Sequence, residues 1–296
     1  MTAPGRYPEA GADQTPPEWV VARLRAAGCV FAEDEAAVLV EAATSPDRLD
    51  RMLLQREGGI PLEHVVGWVE FAGRRIDVDA GVFVPRRRSE LLVREAVAHL
   101  ARSDPAAQAA DARRPAGPGS AAVVVDLCCG CGAIGAAIAA AVPGIELIAA
   151  DLDAAAIRCA ARNLAFAGGT VVQGDLFATL PVRLRGRVDV LVANAPYVPT
   201  GAIALMPPEA REHEPAVALD GGPDGTDVIR RVVAGAPDWL APDGLVLVEV
   251  GESQIPTVVG AFVSAGLKPE IVADEDLGGM VAAGRPLLTT GHNGCA

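Results

Sequence analysis

Four consecutive residues after an apolar segment carry the clearest chemical signal in the sequence. Residues 188–193 have the composition of a buried strand, and Asn194-Ala195-Pro196-Tyr197 follows them directly. The side-chain oxygen of Asn194 can accept a hydrogen bond from an N–H group of a ligand, and the backbone carbonyl of Ala195 can accept a second. Pro196 biases Ala195 toward the extended conformation that such a turn needs. We call residues 194–197 the acceptor turn and predict that Asn194 and Tyr197 are catalytic and that all four residues bind substrate.

A second candidate site lies between another apolar segment and a helix. Residues 123–127 predict a buried strand, and Cys128-Cys129-Gly130-Cys131-Gly132, here called the cysteine–glycine loop, leads from it to a helix predicted at residues 134–141. Glycines in such a loop let a ligand approach the backbone, and the first amides of the following helix are free to bind it. About twenty residues later the next strand ends at Asp151, where a carboxylate can hold a ribose diol. The combination predicts an adenosine-containing cofactor; an ordinary strand–helix turn with a helix-capping aspartate is the alternative.

The residues predicted to bind this cofactor lie near the carboxyl ends of predicted strands, where doubly wound sheets place their ligands. They are Asp126, Cys128, Cys129, Gly130, Cys131, Gly132, Asp151, Asp175, Leu176 and Asn194. Asp175 follows the third strand of this region and is expected near the adenine, with a helix cap as the alternative. Glycine-rich turns occur in many nucleotide-binding folds, so this one does not decide between a nicotinamide dinucleotide and S-adenosylmethionine.

Alternating strands and helices position these candidates. After residue 121 the pattern predicts strands at residues 123–127, 146–150, 170–173, 188–193 and 245–250, with helices at 134–141 and 154–167 between the first three. Such alternation predicts an α/β domain with a parallel, doubly wound sheet.

The N-terminal half predicts a separate helical unit and a connector. Apolar residues at helical spacing predict helices from Pro17, at residues 33–43 and at residues 47–57. Between residues 65 and 84 apolar residues recur at every second position, which predicts a β-hairpin. A helix follows at residues 89–100, with Ser89 as a possible N-cap. The predicted division is a disordered tail (1–16), a helical domain (17–64), a hairpin connector with a helix and linker (65–120) and the α/β domain (121–296).

Composition excludes several classes of protein. A chain of 296 residues is long enough for two domains with separate cores. Its formal net charge of −13 argues against a general nucleic-acid binder, because phosphate contacts dominate such binding. No segment has the apolar length of a membrane span, and the polar N-terminus lacks the features of a secretory signal, so we expect a cytoplasmic protein with free thiols. The cysteines at positions 128, 129 and 131 have no second ligand pair at zinc-like spacing, so no metal site is predicted.

The acceptor turn is close to the Asn-Pro-Pro-Tyr signature of amino-methyltransferases, and the motifs around it resemble the release factor glutamine N5-methyltransferase family. The resemblance covers roughly residues 47–285. Besides the cysteine–glycine loop and the acceptor turn, it is carried by Pro61-Leu62-Glu63-His64-Val65-Val66-Gly67, Asp79-Ala80-Gly81-Val82-Phe83-Val84-Pro85-Arg86, Glu90-Leu91-Leu92-Val93, Gly174-Asp175-Leu176-Phe177, Glu214-Pro215, Ala218-Leu219, Gly221-Gly222-Pro223-Asp224-Gly225 and Asp276-Leu277-Gly278-Gly279. Their order along the chain is more specific than any one of them.

The resemblance implies the fold of a class I S-adenosylmethionine-dependent methyltransferase, with a Rossmann-like seven-stranded sheet and a small N-terminal helical domain. It implies S-adenosylmethionine as the methyl donor and a glutamine side-chain amide in a protein as the acceptor, with a peptide chain release factor as the first candidate. Residues 17–64 would recognise that protein, and residues 121–296 would form the methyltransferase domain. We expect a cytoplasmic monomer with a protein of translation as its partner and with neither a membrane nor nucleic acid as its direct target.

Three segments depart from the family pattern and indicate a divergent branch. The family's Gly-Thr-Gly-Thr-Gly turn is here the cysteine–glycine loop, and the Cβ atom of Cys128 requires a negative φ there or backbone strain. The first proline of the signature is Ala195, which still provides the carbonyl. The usual Pro-Arg-Pro-Glu-Thr-Glu segment is here Pro85-Arg86-Arg87-Arg88-Ser89-Glu90. Its arginine run either contacts an acidic or RNA-bearing partner or is a solvated run of charge.

Two other functions stay open on the sequence. N6-adenine and N2-guanine methyltransferases of nucleic acids use the same four-residue signature, although the negative net charge and the helical N-terminal unit favour a protein substrate. A non-catalytic relative would bind the cofactor weakly and hold a partner protein. The measured affinity for S-adenosylmethionine distinguishes this last possibility from the other two.

Overall fold

The structure, a computed structural model, describes residues 15–102 and 121–287. Most of the predicted tail (1–16) and of the predicted linker (101–120) lies outside the described residues. Within them the chain forms a helical unit, a two-stranded hairpin and a seven-stranded sheet flanked by helices. No helix in these two ranges is both long and apolar enough to cross a lipid bilayer.

Four helices form the N-terminal unit, and their apolar faces pack on one another. They are α1 (Glu18–Ala26), α2 (Ala32–Ala42), α3 (Pro46–Glu57) and α4 (Leu62–Val66). The side chains of Leu24, Met52 and Leu53 are fully buried in a core that belongs to this unit alone. Ser45 caps α3, since its side-chain oxygen accepts a hydrogen bond from the Arg48 amide at 3.2 Å. The three predicted helices are present with ends shifted by one residue, whereas α4 was not predicted.

A hairpin and a buried arginine join the helical unit to the α/β half. Strands β1 (Trp68–Phe71) and β2 (Arg74–Asp77) pair antiparallel within the segment where the alternation predicts a hairpin. Arg56 of α3 is 7% exposed, and its guanidinium lies 2.6 Å from the carboxylate of Glu35 and 2.6 Å from that of Glu209. Glu209 belongs to the α/β half, so this ion-pair cluster ties the two parts together.

Helix α5 (Glu90–Arg102) follows the connector, and the residue before it differs from the prediction. Ser89 lies in a single 3₁₀ turn, Arg87–Ser89, and is 1% exposed. Its hydroxyl donates a hydrogen bond to the carboxylate of Glu249 at 2.5 Å. No described amide of α5 donates to the Ser89 oxygen, which instead accepts from the side-chain nitrogen of Asn194 at 3.1 Å, so the prediction that Ser89 caps the helix is wrong.

The α/β half is built on one sheet with the strand order β5-β4-β3-β6-β7-β9-β8. The strands are β3 (Val123–Leu127), β4 (Glu146–Asp151), β5 (Thr170–Gln173), β6 (Val188–Ala193), β7 (Leu240–Glu249), β8 (Leu267–Asp274) and β9 (Gly279–Pro286). All strands are parallel except β9, which is antiparallel to both of its neighbours. From β3 the order runs outward through β4 to β5, and from β6 it runs outward through β7 and β9 to β8. The switch point, where doubly wound sheets bind ligands, therefore lies between β3 and β6.

Six more helices follow α5 within the described residues and complete the predicted fold. They are α6 (Ala133–Ala141), α7 (Ala154–Leu164), α8 (Pro208–His213), α9 (Ala216–Leu219), α10 (Asp227–Gly235) and α11 (Ile255–Ser264). The five predicted strands are all present, although β7 begins at Leu240 rather than at residue 245. The predicted α/β class I methyltransferase fold with a seven-stranded sheet is confirmed.

Candidate active site

A cleft opens at the carboxyl ends of β3, β4, β5 and β6, beside the switch point of the sheet. It encloses about 1110 Å³ of space between protein atoms, part of it open to solvent. Its walls come from the cysteine–glycine loop, from the residues that follow β4 and β5, from the acceptor turn and from parts of residues 83–89 and 215–231. Motifs that are far apart in the sequence meet in this cleft.

The two glycines of the cysteine–glycine loop have different tasks. Both have positive φ, +55° at Gly130 and +79° at Gly132. A Cβ atom on Gly130 would meet no atom within 4 Å, whereas one on Gly132 would lie 3.1 Å from the Cβ atom of Ala160 in α7. Gly130 therefore keeps the cleft wall open to a ligand, and Gly132 lets the start of α6 approach α7.

The backbone of Cys128 has a positive φ, which is the strained one of the two conformations that the sequence allowed. Its φ is +55°, in the left-handed region where a Cβ atom is crowded by the backbone. For a residue other than glycine this conformation costs about 1–2 kcal/mol. The next amide, that of Cys129, donates to the carbonyl of Ala150 in β4 at 3.1 Å and helps to hold the loop in this shape.

Asp151 lies at the end of β4 with its carboxylate in the cleft wall. One carboxylate oxygen accepts from the Gly130 amide at 2.8 Å, and the other accepts from the Asp153 amide at 2.9 Å. Burial raises the pKa of Asp151, and the two amides oppose that shift. Asp153 is the residue that caps α7, since its side chain accepts from the Ala155 amide at 2.9 Å. Asp151 is thus not the helix cap, and its oxygens have lone pairs left for a hydroxyl of a ligand.

Asp126 lies behind the cysteine–glycine loop rather than in the cleft wall. It is fully buried, and one oxygen of its carboxyl group accepts from the Gly135 amide at 2.9 Å. The other oxygen has no hydrogen-bond partner among the described residues. Burial raises the pKa of Asp126 to about 7. The residue therefore holds the first turn of α6 against β3 and reaches a cofactor only through the loop.

Asp175 and Leu176 line the cleft after β5. The carboxylate of Asp175 lies 2.6 Å from the guanidinium of Arg231 in α10, and both side chains are about half exposed. Asp175 makes no capping hydrogen bond to the short turn that follows it, so the helix-cap alternative does not hold. Leu176 has a φ of +47°, a second non-glycine residue of this wall in the left-handed region.

The acceptor turn presents two of its four residues to the cleft. Asn194 and Pro196 line it, whereas Ala195 is 1% exposed and the ring of Tyr197 packs into the core behind. The side-chain nitrogen of Asn194 lies 3.1 Å from the hydroxyl oxygen of Ser89. The side-chain oxygen of Asn194 receives no hydrogen bond from any described residue.

A buried carboxylate holds the side chains behind the acceptor turn. Glu249, at the end of β7, is 2% exposed. One of its oxygens accepts from the Tyr197 hydroxyl at 2.7 Å and from the Arg88 guanidinium at 2.9 Å, and the other accepts from the Ser89 hydroxyl at 2.5 Å. Burial raises the pKa of Tyr197, and its phenol stays protonated as a donor. Tyr197 is therefore anchored at its hydroxyl end.

Two residues of the arginine run have internal partners. The guanidinium of Arg86 lies 2.5 Å from the carboxylate of Glu214, which is buried in turn, and Arg88 pairs with Glu249. Burial raises the pKa of Glu214, while the charge of Arg86 opposes that shift. Arg86 and Arg88 thus each have one internal ion-pair partner while 32% and 45% of their side chains stay exposed, and a contact of the run with a partner stays a prediction.

The backbone of the acceptor turn is held by a glutamine and a glycine. The side-chain nitrogen of Gln254 donates to the carbonyl of Tyr197 at 2.8 Å and to that of Gly225 at 3.1 Å. A Cβ atom on Gly221 would lie 2.7 Å from the carbonyl oxygen of Pro196, so only glycine fits there. The family motif at residues 221–225 thus serves to pack against the acceptor turn.

The cysteines of the loop are neutral thiols. Burial raises the pKa values of Cys128, Cys129 and Cys131 well above that of an ordinary thiol. Neutral thiols are poor nucleophiles and poor metal ligands. The part of the chain that the structure describes holds no group of three metal-binding side chains.

The structure brings most, but not all, of the predicted site residues to one place. Those that line the cleft are Cys128, Cys129, Gly130, Cys131, Asp151, Asp175, Leu176, Asn194 and Pro196, and those that lie behind it are Asp126, Gly132, Ala195 and Tyr197. Sequence reasoning missed Ser89 and Glu249 as parts of the site. The signal for Glu249 was a single acidic residue in the otherwise apolar strand predicted at residues 245–250. The signal for Ser89 was its position in the segment that resembles Pro-Arg-Pro-Glu-Thr-Glu, but the serine was interpreted as a helix cap.

The residues of the cleft fit S-adenosylmethionine. The open side of Gly130 leaves the backbone accessible, and the Asp151 carboxylate, fixed by two amides, provides the acceptor that a ribose diol needs. Apolar side chains, among them Ile134 and Leu176, line the same cleft and suit a purine ring.

Comparisons with known proteins agree with this site. The Methyltransferase small domain family model matches residues 114–206. The chain is 34% identical to a release factor glutamine methyltransferase of Mycolicibacterium smegmatis over 92% of this chain and 95% of that protein. It is 38% identical to a 4-amino-L-phenylalanine/4-methylamino-L-phenylalanine methyltransferase of Streptomyces pristinaespiralis over 73% of this chain and 68% of that protein.

Among solved structures, the fold is similar to the catalytic domain of hMettl16 bound to an RNA hairpin of the MAT2A 3′UTR. The TM-score is 0.52 at 13% identity, with 85% of this chain and 82% of that chain covered. This likeness concerns the fold alone. With its cleft, its acceptor turn and its near full-length similarity to the mycobacterial protein, the chain belongs to the release factor glutamine methyltransferase family and is an S-adenosylmethionine-dependent methyltransferase.

Proposed function

We propose that this chain methylates the side-chain amide nitrogen of a glutamine in a protein, with a peptide chain release factor as the first candidate. The observation that carries the proposal is that Asn194 of the acceptor turn and Asp151 of the cofactor wall line one cleft. The mycobacterial release factor glutamine methyltransferase, which aligns with nearly the whole chain, supports the choice of substrate. The relatives give the nucleic-acid alternative no support.

The residues of the acceptor turn act by positioning. An amide nitrogen is a poor nucleophile because its lone pair is delocalised into the carbonyl. The Asn194 side-chain oxygen, on a residue that lines the cleft, accepts one of its N–H groups. The Ala195 carbonyl stays the predicted acceptor of the other N–H group, since Ala195 is 1% exposed and is not part of the cleft wall. Orientation of this kind contributes up to about 7–11 kcal/mol in the best intramolecular cases.

S-adenosylmethionine, when bound, supplies a methyl carbon activated by the positive sulfur. Asp151 and the cysteine–glycine loop would hold the cofactor, and Asp175 would lie near the adenine. The catalytic and substrate-binding role predicted for Tyr197 stays a prediction. Its observed contacts instead hold the turn from behind.

We assign recognition of the protein substrate to the helical unit, residues 17–64. It has its own core and contributes no residue to the cleft wall. Phe31, in the turn before α2, is 68% exposed, as an interface side chain would be before binding. The proposal includes a cytoplasmic location and a monomeric enzyme, both of which stay predictions.

A second acceptor is a free amino acid with an aromatic amine, since the relative from Streptomyces pristinaespiralis is named for such a substrate. Phe83 and Val217 line the cleft and would suit an aromatic ring. The similarity to that relative extends over less of this chain than the similarity to the mycobacterial protein, which favours the protein substrate.

The test offers both acceptors to the purified enzyme with isotopically labelled S-adenosylmethionine. Purified release factor and 4-amino-L-phenylalanine are incubated separately, and the products are mapped by mass spectrometry. We expect the label on one glutamine of the release factor and a loss of labelling when that glutamine is replaced by asparagine. If only 4-amino-L-phenylalanine were labelled, the free amino acid rather than the release factor would be the substrate.

A further inference from the structure

The side chain of Asn194 has two ends of almost equal size and opposite chemistry. The proposed function, on which this inference rests, requires the oxygen to face the reacting nitrogen, because only the oxygen accepts a hydrogen bond. With the amide turned by 180°, its N–H groups would face the N–H groups of the substrate. Something in the protein must therefore select one of the two orientations.

The hydroxyl of Ser89 makes this selection. Its oxygen lies 3.1 Å from the Asn194 nitrogen, and the same oxygen lies 2.5 Å from a carboxylate oxygen of Glu249. An ionised carboxylate only accepts, so the single hydroxyl hydrogen of Ser89 is directed to Glu249. The Ser89 oxygen is left as an acceptor, and it stabilises Asn194 only when the amide nitrogen faces it.

The register of the sheet places these groups at the same level. Strands β6 and β7 are parallel neighbours in which Ala193 is paired with Val248. The residues that follow them, Asn194 and Glu249, therefore emerge side by side at the carboxyl edge of the sheet. Ser89 reaches the space between them from the turn before α5.

The carboxylate that directs Ser89 is itself fixed. Glu249 is 2% exposed, and its second oxygen accepts from the Tyr197 hydroxyl at 2.7 Å and from the Arg88 guanidinium at 2.9 Å. Glu249 is thus the acceptor in all three contacts, from the guanidinium of Arg88 and from the hydroxyls of Tyr197 and Ser89. The direction of the chain of hydrogen bonds, from Asn194 to Ser89 to Glu249, follows from this.

We propose that Ser89, directed by Glu249, is a positioning residue that holds the Asn194 side chain with its oxygen toward the acceptor nitrogen. Ser89 acts through Asn194 and needs no contact with substrate. The hydroxyl is therefore the feature that matters, and threonine, which the family segment carries at this position, can replace serine.

The kinetic test compares Ser89→Ala, Ser89→Thr and the control Ser264→Ala, a serine on α11 far from the cleft, using release factor as substrate. We expect Ser89→Ala to lower kcat on the order of tenfold, the effect of losing one hydrogen bond, with the Kd for S-adenosylmethionine within twofold of wild type. Ser89→Thr should recover most of the lost rate, and Ser264→Ala should match wild type. In an Asn194→Ala background, Ser89→Ala should change kcat by less than twofold. If Ser89→Ala lowered kcat as much in the Asn194→Ala background as it does in wild type, the proposal would be overturned.

A second measurement needs no substrate and separates this inference from the proposed function. The side-chain amide signals of Asn194 in a ¹⁵N–¹H NMR spectrum are identified by their absence in Asn194→Ala. In wild type and Ser89→Thr we expect slow exchange of these hydrogens with solvent, and in Ser89→Ala exchange at least tenfold faster. Unchanged exchange in a folded Ser89→Ala protein would contradict the positioning role, whatever the substrate is. A release factor that stays unmethylated while the NMR result holds would contradict only the proposed function.

Discussion

Replacing Asp151 by alanine should weaken the binding of S-adenosylmethionine roughly 10- to 150-fold. The carboxylate lines the cleft, and its oxygens accept from the amides of Gly130 at 2.8 Å and Asp153 at 2.9 Å. The change removes the charged acceptor for the ribose and leaves the Gly130 amide without its partner. A hydrogen bond to a charged group contributes about 1.5–3 kcal/mol, and each 1.4 kcal/mol corresponds to a factor of ten in Kd.

Two further variants separate the contributions to that loss. Asp151→Asn keeps the shape and one accepting oxygen but removes the charge, so its Kd should lie between those of wild type and Asp151→Ala. Asp238→Ala removes an aspartate whose side chain is 68% exposed and which lies outside the cleft, so its Kd should equal that of wild type.

Isothermal titration calorimetry with S-adenosylmethionine measures all four Kd values, and circular dichroism shows that each variant is folded. An unchanged Kd for a folded Asp151→Ala protein would show that the ribose is held elsewhere. Equal losses in Asp151→Ala and Asp238→Ala would show that net charge, rather than this contact, controls binding.

Three further predictions concern residues around the cleft. Because burial raises the pKa of Asp126 from 3.8 to about 7, the folded protein keeps a proton that the unfolded chain releases, so the free energy of unfolding should fall as pH rises from about 4 to about 7. Urea unfolding across that range should show a flatter dependence for Asp126→Asn. Cys128→Gly should raise the free energy of unfolding by up to about 1 kcal/mol, because glycine adopts a positive φ without strain. Cys129→Gly, the control, should lower the free energy of unfolding. A lower free energy of unfolding in both variants would show that Cys128 is not strained. Ala195→Pro keeps the carbonyl and should change methylation turnover by less than about threefold; a loss like that of Asn194→Ala would show that the Ala195 amide matters.

The sequence was sufficient for the elements with strong periodicity. The apolar runs of β3, β4 and β6 and the helical spacing of α1 to α3 led to correct assignments, because each element buries one face or is buried on both. Strands β8 and β9 were not predicted. Pro269 and three glycines at residues 278, 279 and 284 interrupt the alternation, and their pairing depends on contacts with β7.

The cleft could be predicted as a collection of motifs, but not as a network. Asp151 and Asn194 follow predicted strands, and the topology of a doubly wound sheet is enough to bring them together. The contacts of Ser89 and Glu249 join residues separated by 160 positions, and no local pattern indicates such a pair. The ion pairs of Arg86 and Arg88 were not predicted for the same reason, since their buried partners lie more than a hundred residues away in the sequence.

The rate of methyl transfer by Asn194→Ala tests the central claim most directly. The variant and wild type are compared at saturating S-adenosylmethionine and release factor, and the Kd for the cofactor is measured in parallel. Removing the side-chain oxygen leaves a substrate N–H unpaired at about 1–3 kcal/mol and misplaces the nitrogen as well, so turnover should fall at least about 100-fold with the cofactor Kd nearly unchanged. A wild-type rate in Asn194→Ala would contradict the assignment of the acceptor turn to nitrogen methylation.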